Sequence, residues 1–227
     1  MANTMEFNGV TNHAFGVIVT SLPPIPTPEE RGEDIEIPGR NGSLWRSDGS
    51  YKPVTIAVPI WVPQDVSLTQ VRGWLTGSGL LKFDNGTLYW DARVSGETHF
   101  APRDFYDGYE TTVTFTCQPF RRAKEESIKV TGTPYTLYNS YSAYAEPRFT
   151  VTCTGDFTLD INGTLATITG VTGTVVLDTE LQEAYKGATL INDKMVGAFP
   201  VLAPGSNTIK YSGGVTALTV EPRWRTL

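Results

Sequence analysis

Only two histidines, His13 and His99, and two cysteines, Cys117 and Cys153, occur in 227 residues, so the side chains that most often do nucleophilic, acid–base or zinc chemistry are scarce. Cys117 shares strand parity with Val113 and Phe115, and Cys153 with Phe149 and Val151. That parity predicts two buried thiols on different strands rather than a disulfide. His99 stands in GETHFAPRDFYDGYE near Asp104 and Asp107 and reads as a structural or interface histidine. No G-x-S-x-G, C-x-x-C, glycine-rich phosphate loop or H-E-x-x-H selects a nucleophile or a metal. The acids a two-carboxylate glycosidase would draw on are Asp156, Asp160, Asp178 and Glu180, but acids flanking β-turns usually cap or solvate them. The expectation is a chain without catalytic activity, to which no metal-binding or cofactor-binding residue is assigned.

A second set of residues could bind rather than react. Tyr135, Tyr138, Tyr141 and Tyr144 recur at intervals of three in PYTLYNSYSAYAEP, which suits neither a strand nor a long helix but would suit a polyproline-like ribbon. One reading makes Tyr138 and Tyr141 platforms for sugar rings. The other, which we favour, is a connecting segment whose tyrosines pack along both flanks of a sandwich.

The elements that must position these groups are β-strands. Glycine (22), proline (15) and abundant Thr and Val, with 40% hydrophobic residues, indicate a turn-rich all-β protein. Asn8-Gly9, Asn41-Gly42, Asn85-Gly86 and Asn162-Gly163 predict four tight hairpin turns of type I′. Strands are expected at 14–20, 54–62, 79–83, 87–94 and 111–118. In the second half they are expected at 127–131, 147–154, 157–161, 165–169, 174–178, 183–185, 207–211 and 215–221. One segment breaks the pattern: Asp65 to Thr76, where Leu68, Val71 and Leu75 with Trp74 mark one face of a short helix capped by Asp65 or Ser67. The charged run RRAKEE after Phe120 divides the chain into a first domain, residues 1–124, and a β-sandwich, residues 125–227.

Net charge −6 argues against a duplex-binding surface, which would need clustered Lys and Arg. No apolar run approaches the roughly 18 residues of a membrane span. The start MANTMEFNGV has neither the basic residues nor the apolar block of a signal peptide, so synthesis in a cytoplasm is expected. The stretch with least reason to be buried is Leu22 to Asn41, LPPIPTPEERGEDIEIPGRN. Its prolines at 23, 24, 26, 28 and 38 exclude a helix or a central strand, and its acids cannot join a core. It reads as an extended arm.

Three stretches together resemble the distal tail proteins of long, non-contractile-tailed bacteriophages: FNGVTNHAFGVIVTSLPP, IPGRNGSLW, and the closing FPVLAPGSNTIKYSGGVTALTVEPRWR. AEPRFTVTCTGDFTLDINGT followed by VVLDTELQEAYKG fits the same pattern, so the resemblance spans nearly the whole chain. It implies a first β-domain with one helix, sandwich-like or barrel-like, that forms a hexameric ring, single or in two stacked copies. A galectin-like β-sandwich follows it. It also implies a hub at the virion tail tip, assembled in the bacterial host cytoplasm. That hub joins the tail-tube protein to the tip and receptor-binding proteins, and DNA passes through a central channel. Because a ring needs a head-to-tail contact, the arm is expected to lie on a neighbouring subunit, with Ile35, Ile37 and Trp45 as apolar anchors and Arg40 beside them. The alternative is a carbohydrate-binding module for host cell-wall glycans, although no residues match a galectin sugar-binding motif and fold alone confers no function.

Overall fold

The computed structural model describes residues 3–84, 86–103, 107–124 and 126–227. It is nearly all β with one α-helix, as the composition predicts, and divides into two compact units, Met1–Arg121 with Leu227 and Arg122–Thr226.

The first unit contains β1 (Met5–Phe7), β2 (Val10–Thr11), β3 (Ile18–Val19), β4 (Glu30–Glu36), β5 (Ser43–Tyr51), β6 (Val54–Pro63), α1 (Leu68–Trp74), β7 (Ser78–Phe83), β8 (Leu88–Val94), β9 (Ala101–Pro102) and β10 (Gly108–Ala123). Its main sheet runs β2-β1-β7-β8-β10-β6-β3. β6 shows why these residues form strands: Val54, Ile56, Val58, Ile60 and Val62 face inward at period two, and the residues between them lie outside. Val58 pairs with Val113 and Ile56 with Phe115, so two alternating patterns meet on one face. Phe7 and Phe115 are fully buried there in an edge contact, 5.3 Å between ring centroids, each worth roughly 1.5–3 kcal/mol of burial.

The helix is shorter than expected, and Ser67 precedes it in an extended conformation without a side-chain cap bond. Packing holds it instead. Val71 is buried, the Trp74 indole N–H donates to Phe7 O at 3.2 Å, and Trp74 stacks on Phe15 at 5.2 Å. The expected strand at 14–20 is mostly otherwise, because a 3-10 turn, Asn12–Phe15, precedes the two-residue β3. Buried Asn12 organises that turn, accepting from Met5 N and donating to Val17 O, both at 2.8 Å.

The second unit contains β11 (Ile128–Val130), β12 (Tyr135–Asn139), β13 (Arg148–Ile161), β14 (Thr164–Ile168), β15 (Gly173–Asp178), β16 (Glu183–Lys186), β17 (Thr189–Leu190), β18 (Met195–Gly197), β19 (Gly205–Glu221) and β20 (Arg225–Thr226). Four strands expected at 147–154, 157–161, 207–211 and 215–221 are two, β13 and β19, which pair from Arg148↔Glu221 to Ile161↔Ile209. The ladder slips register between Thr152 and Phe157, where both chains bend. One half of this pair carries β15, β16 and β17; the other carries β14 and β18. The two halves enclose one core containing Phe149, Val151 and Leu177 from the first and Phe157, Leu159, Ile161 and Ile168 from the second. Glycine is required at the crease: a Cβ on Gly213, φ +82°, would lie 2.3 Å from Asp156 O.

Asn8-Gly9 and Asn162-Gly163 form the expected turns, with both φ angles positive in each pair. Asn85, with its expected turn, Asp104 and Glu125 lie outside the described residues. The two compact units divide at the charged run Arg121-Arg122, although β10 continues through it to Ala123. Cys117 and Cys153 are buried free thiols on β10 and β13, and burial pushes the Cys117 thiol up to about 12.

Candidate functional site

The groups singled out for acid–base chemistry each have a local partner. His13 Nε2 lies 3.0 Å from the Thr4 hydroxyl, and His99 forms an exposed pair with Glu97 at 3.2 Å. Asp156 accepts from Gly170 N at 2.7 Å and Asp160 from Gly163 N at 2.8 Å, as turn-capping acids do.

Asp178 and Glu180 are held by the closing Pro-Arg-x-Arg. Arg223 clamps Asp178 through two bonds of 2.7 Å and reaches Glu180 at 3.1 Å, while Arg122 pairs with Glu180 from the other side. Burial works against ionisation of Asp178, but the Arg223 guanidinium and the Leu181 N–H overcome it and hold the carboxyl below its usual range. Hydrogen bonds from Arg122, opposed by burial, lower Glu180 as well. Carboxylates held in this way stay ionised near neutral pH. Arg225 of the same motif donates to Tyr144 O and Glu146, both at 2.7 Å. The Asn of the Pro-x-Leu-x-Pro-Gly-x-Asn motif, Asn207, is fully buried. It exchanges bonds of 2.8 Å with the backbone of Ala203.

The tyrosines separate. Tyr135 and Tyr138 lie on β12, and an odd spacing on a strand sends them to opposite faces. Tyr135 packs against the core, Tyr138 is 68% exposed, and Tyr144 lies under Arg225, 4.4 Å from ring centroid to guanidinium carbon. Tyr141 follows an Asx turn in which its N–H donates to buried Asn139 at 3.0 Å. The ribbon of platforms is therefore corrected to a strand and a turn, with Tyr138 the outward-facing member of its strand.

The expected arm is a hairpin. After extended residues 22–29, β4 pairs antiparallel with β5, and the pair forms a sheet of its own. Its base is closed by Lys52 N donating to Glu29 O at 2.8 Å. Its loop is not the expected type I′ turn at Asn41-Gly42. Arg40 N donates to Ile37 O at 3.1 Å around Pro38 and Gly39, φ +80°, which is the type II pattern of Pro then Gly. Asn41 has negative φ, and Gly42, φ +80°, completes the loop.

Register settles which anchors share a face. Ile35 lies opposite Leu44, and Asp34 opposite Trp45. Ile35, Leu44 and Ile37 therefore belong to one side of the hairpin and Trp45 to the other. There the indole covers Gly32, where a Cβ would come within 2.7 Å of the ring. Ile37 is 41% exposed, Leu44 49% and Trp45 46%, and Arg40 is exposed in the loop. Leu44 was not singled out from the sequence, because a two-residue turn at Asn41-Gly42 would have set Asp48 opposite Ile35, and only the observed register brings Leu44 there. The polar groups pair locally: Arg46 with Glu33 at 3.5 Å, Lys52 with Glu29 at 2.7 Å, and Ser43 with Asp34 at 2.6 Å. The Ser50 hydroxyl and N–H hold exposed Asp48 below the ordinary carboxylate range. A two-stranded sheet with apolar residues exposed on both faces, and with no third strand beside it among the described residues, is marginal alone.

No protein-family model and no curated relative matches the chain. Among solved structures, the crystal structure of the SPP1 phage Dit (gp 19.1) protein, described as a paradigm of the hub adsorption apparatus in phages infecting Gram-positive bacteria, aligns over 100% of both chains at 14% identity with a TM-score of 0.76. Two structures of the phage p2 baseplate in its activated conformation, with Sr and with Ca, align over 97% of this chain and 97% and 98% of theirs, at 8% and 9% identity and TM-scores of 0.49 and 0.47. The first likeness establishes the fold. The chain folds as SPP1 Dit does along its whole length, and the resemblance to distal tail proteins is borne out at that level.

Proposed function

We propose that this chain is a structural protein of a bacteriophage tail, a hub at the distal end of the tail tube whose product is geometry rather than catalysis. The observation that carries the reading is the full-length fold match to SPP1 Dit. The hairpin supports it independently, as a surface made for a partner. In this reading six copies close a ring, alone or stacked in two, with a channel through which DNA passes. The ring joins the tube protein to the tip and receptor-binding proteins in the virion, after assembly in the host cytoplasm. The contact between copies uses residues 22–51, with Ile35, Ile37 and Leu44 on one face, Trp45 on the other and Arg40 at the loop. A ring requires a heterologous contact that closes on itself, and a projecting element received by the next copy is the simplest one.

The hairpin can be excised because Glu29 and Lys52 already meet at its base, at the loss of the Tyr51–Phe120 edge contact. Replacing Glu30–Tyr51 by a short Gly-Ser linker is expected to abolish the oligomer seen by light scattering while both cores stay folded by circular dichroism. An unchanged hexamer after excision overturns the reading. So does a wild-type chain that stays monomeric at every concentration even with the tube protein present.

A second reading, binding of cell-wall glycans, rests on Tyr138, whose 68% exposure leaves an aromatic face open. Loss of cell-wall pull-down in Tyr138→Ala and Tyr141→Ala would favour it over a purely structural role.

A further inference from the structure

The chain has four Asn-Gly pairs, and this dipeptide is where asparagine most readily loses its side-chain amide. The reaction needs two free atoms. The backbone nitrogen of the glycine attacks the Asn Cγ, a C–N bond closes a cyclic succinimide, and the amide leaves as ammonia. Water then opens the ring at either carbonyl, giving aspartate or isoaspartate. Glycine favours the attack because it has no Cβ to obstruct it.

The structure protects two of the four pairs, Asn8-Gly9 and Asn162-Gly163. At Asn162 the side-chain N–H donates to Asn207 at 2.8 Å and the carbonyl accepts from Thr208 N at 2.8 Å. The attacking nitrogen, Gly163 N, is itself donated to Asp160 at 2.8 Å. At Asn8 the amide donates to Ser78 O at 3.2 Å and lies so close over Gly79 that a Cβ there would be 1.6 Å from its oxygen. Of the third pair only Gly86 is among the described residues, and its N donates to Phe83 O at 3.3 Å. The fourth is different. Asn41 and Gly42 are both exposed at the hairpin loop, nothing lies within 4 Å of a Cβ built on Gly42, and among the described residues neither the Asn41 amide nor Gly42 N is hydrogen-bonded.

We infer that Asn41 is a site of spontaneous deamidation, converting a neutral loop residue beside Arg40 into an aspartate or isoaspartate as the folded protein ages. Two consequences follow from the chemistry. A negative charge enters a hairpin whose β4 strand already holds Glu30, Glu33, Asp34 and Glu36. Isoaspartate also routes the backbone through the side-chain carbon, lengthening the loop that sets the Ile35–Leu44 register.

The test is peptide mapping by mass spectrometry of the intact folded chain held in mildly alkaline buffer, with isoaspartate detected by protein isoaspartyl methyltransferase labelling. The Asn41 peptide is expected to convert at least about tenfold faster than the Asn8 and Asn162 peptides, the difference made by having to break one or two hydrogen bonds before attack. In denaturant the three rates are expected to converge, and Asn41→Gln is expected to remove the fast signal. Equal rates in the folded protein, or an Asn41 peptide slower than that of Asn162, overturn the inference. Because this readout is chemical, it stands apart from the assembly reading, which is tested by oligomer mass.

Discussion

The β4–β5 hairpin and the Asp178–Arg223–Glu180–Arg122 cluster use the same residue types for opposite ends. In the hairpin, Arg46 and Glu33 meet with both side chains more than half exposed, 72% and 62%, so water competes for each charge. In the cluster the Asp178 side chain is only 3% exposed, and two parallel bonds from Arg223 replace the water it lost. The difference is one of availability. Charges in the cluster are spent inside their own unit, whereas those of the hairpin stay in contact with water.

That contrast can be broken by substitution. The largest effect is expected at Asp178→Ala, which leaves the Arg223 guanidinium half-enclosed without its bidentate acceptor. A loss of about 3 kcal/mol in denaturant unfolding is expected, the size typical of removing one partner from a buried pair. A loss below about 1 kcal/mol would place the cluster in the same class as surface pairs.

Acid titration sharpens the same point. Asp178 and Glu180 have folded pKa values below their ordinary 3.8 and 4.5. A depressed carboxyl pKa contributes stability that is present above the unfolded value and is lost as pH falls through the folded one. Unfolding free energy is therefore expected to stay level from neutral pH down to about 4.5 and then to fall, more steeply in wild type than in Asp178→Ala. A decline on raising pH from about 5 to 8 would reverse the sign and contradict the assignment. The smallest effect is expected at Glu33→Ala in the hairpin, less than about 0.5 kcal/mol by the same unfolding measurement. A larger loss would mean that the hairpin is an internal brace rather than a surface kept for a partner.

How much of this was legible depended on whether a face was covered. Strands such as β6 and β14 were readable because one side meets a core and writes a period of two into the sequence. β4, ERGEDIE, carries no such period because neither of its faces joins a core, so it read as an extended arm. The Asn-Gly turns at Asn8 and Asn162 were legible from two residues, but at Asn41 the preceding Pro38-Gly39 turn had already reversed the chain. Joining the four short strands into β13 and β19 was beyond pattern reading. At the crease the register slips and the alternation breaks, although the backbone continues. In the candidate site, Ile35, Ile37, Arg40 and Trp45 were named from the sequence, but their division between faces needed the register. The ion pairs of Arg223 and Arg225 join positions far apart in the chain, so no local spacing announces them.

The crease in β13 and β19 sets how the second unit is connected. Greek-key sandwiches pass from one sheet to the other through connecting loops. Here a pair of continuous, hydrogen-bonded strands passes from one layer into the other, and only the short stretch around Gly155, Gly213 and Gly214 lacks side-chain bulk. The second unit is thus wrapped around one creased two-stranded ribbon, whose limbs give Phe149 and Phe157 to the same core, and the close backbone approach at Gly213 and Gly214 leaves no room there for a side chain.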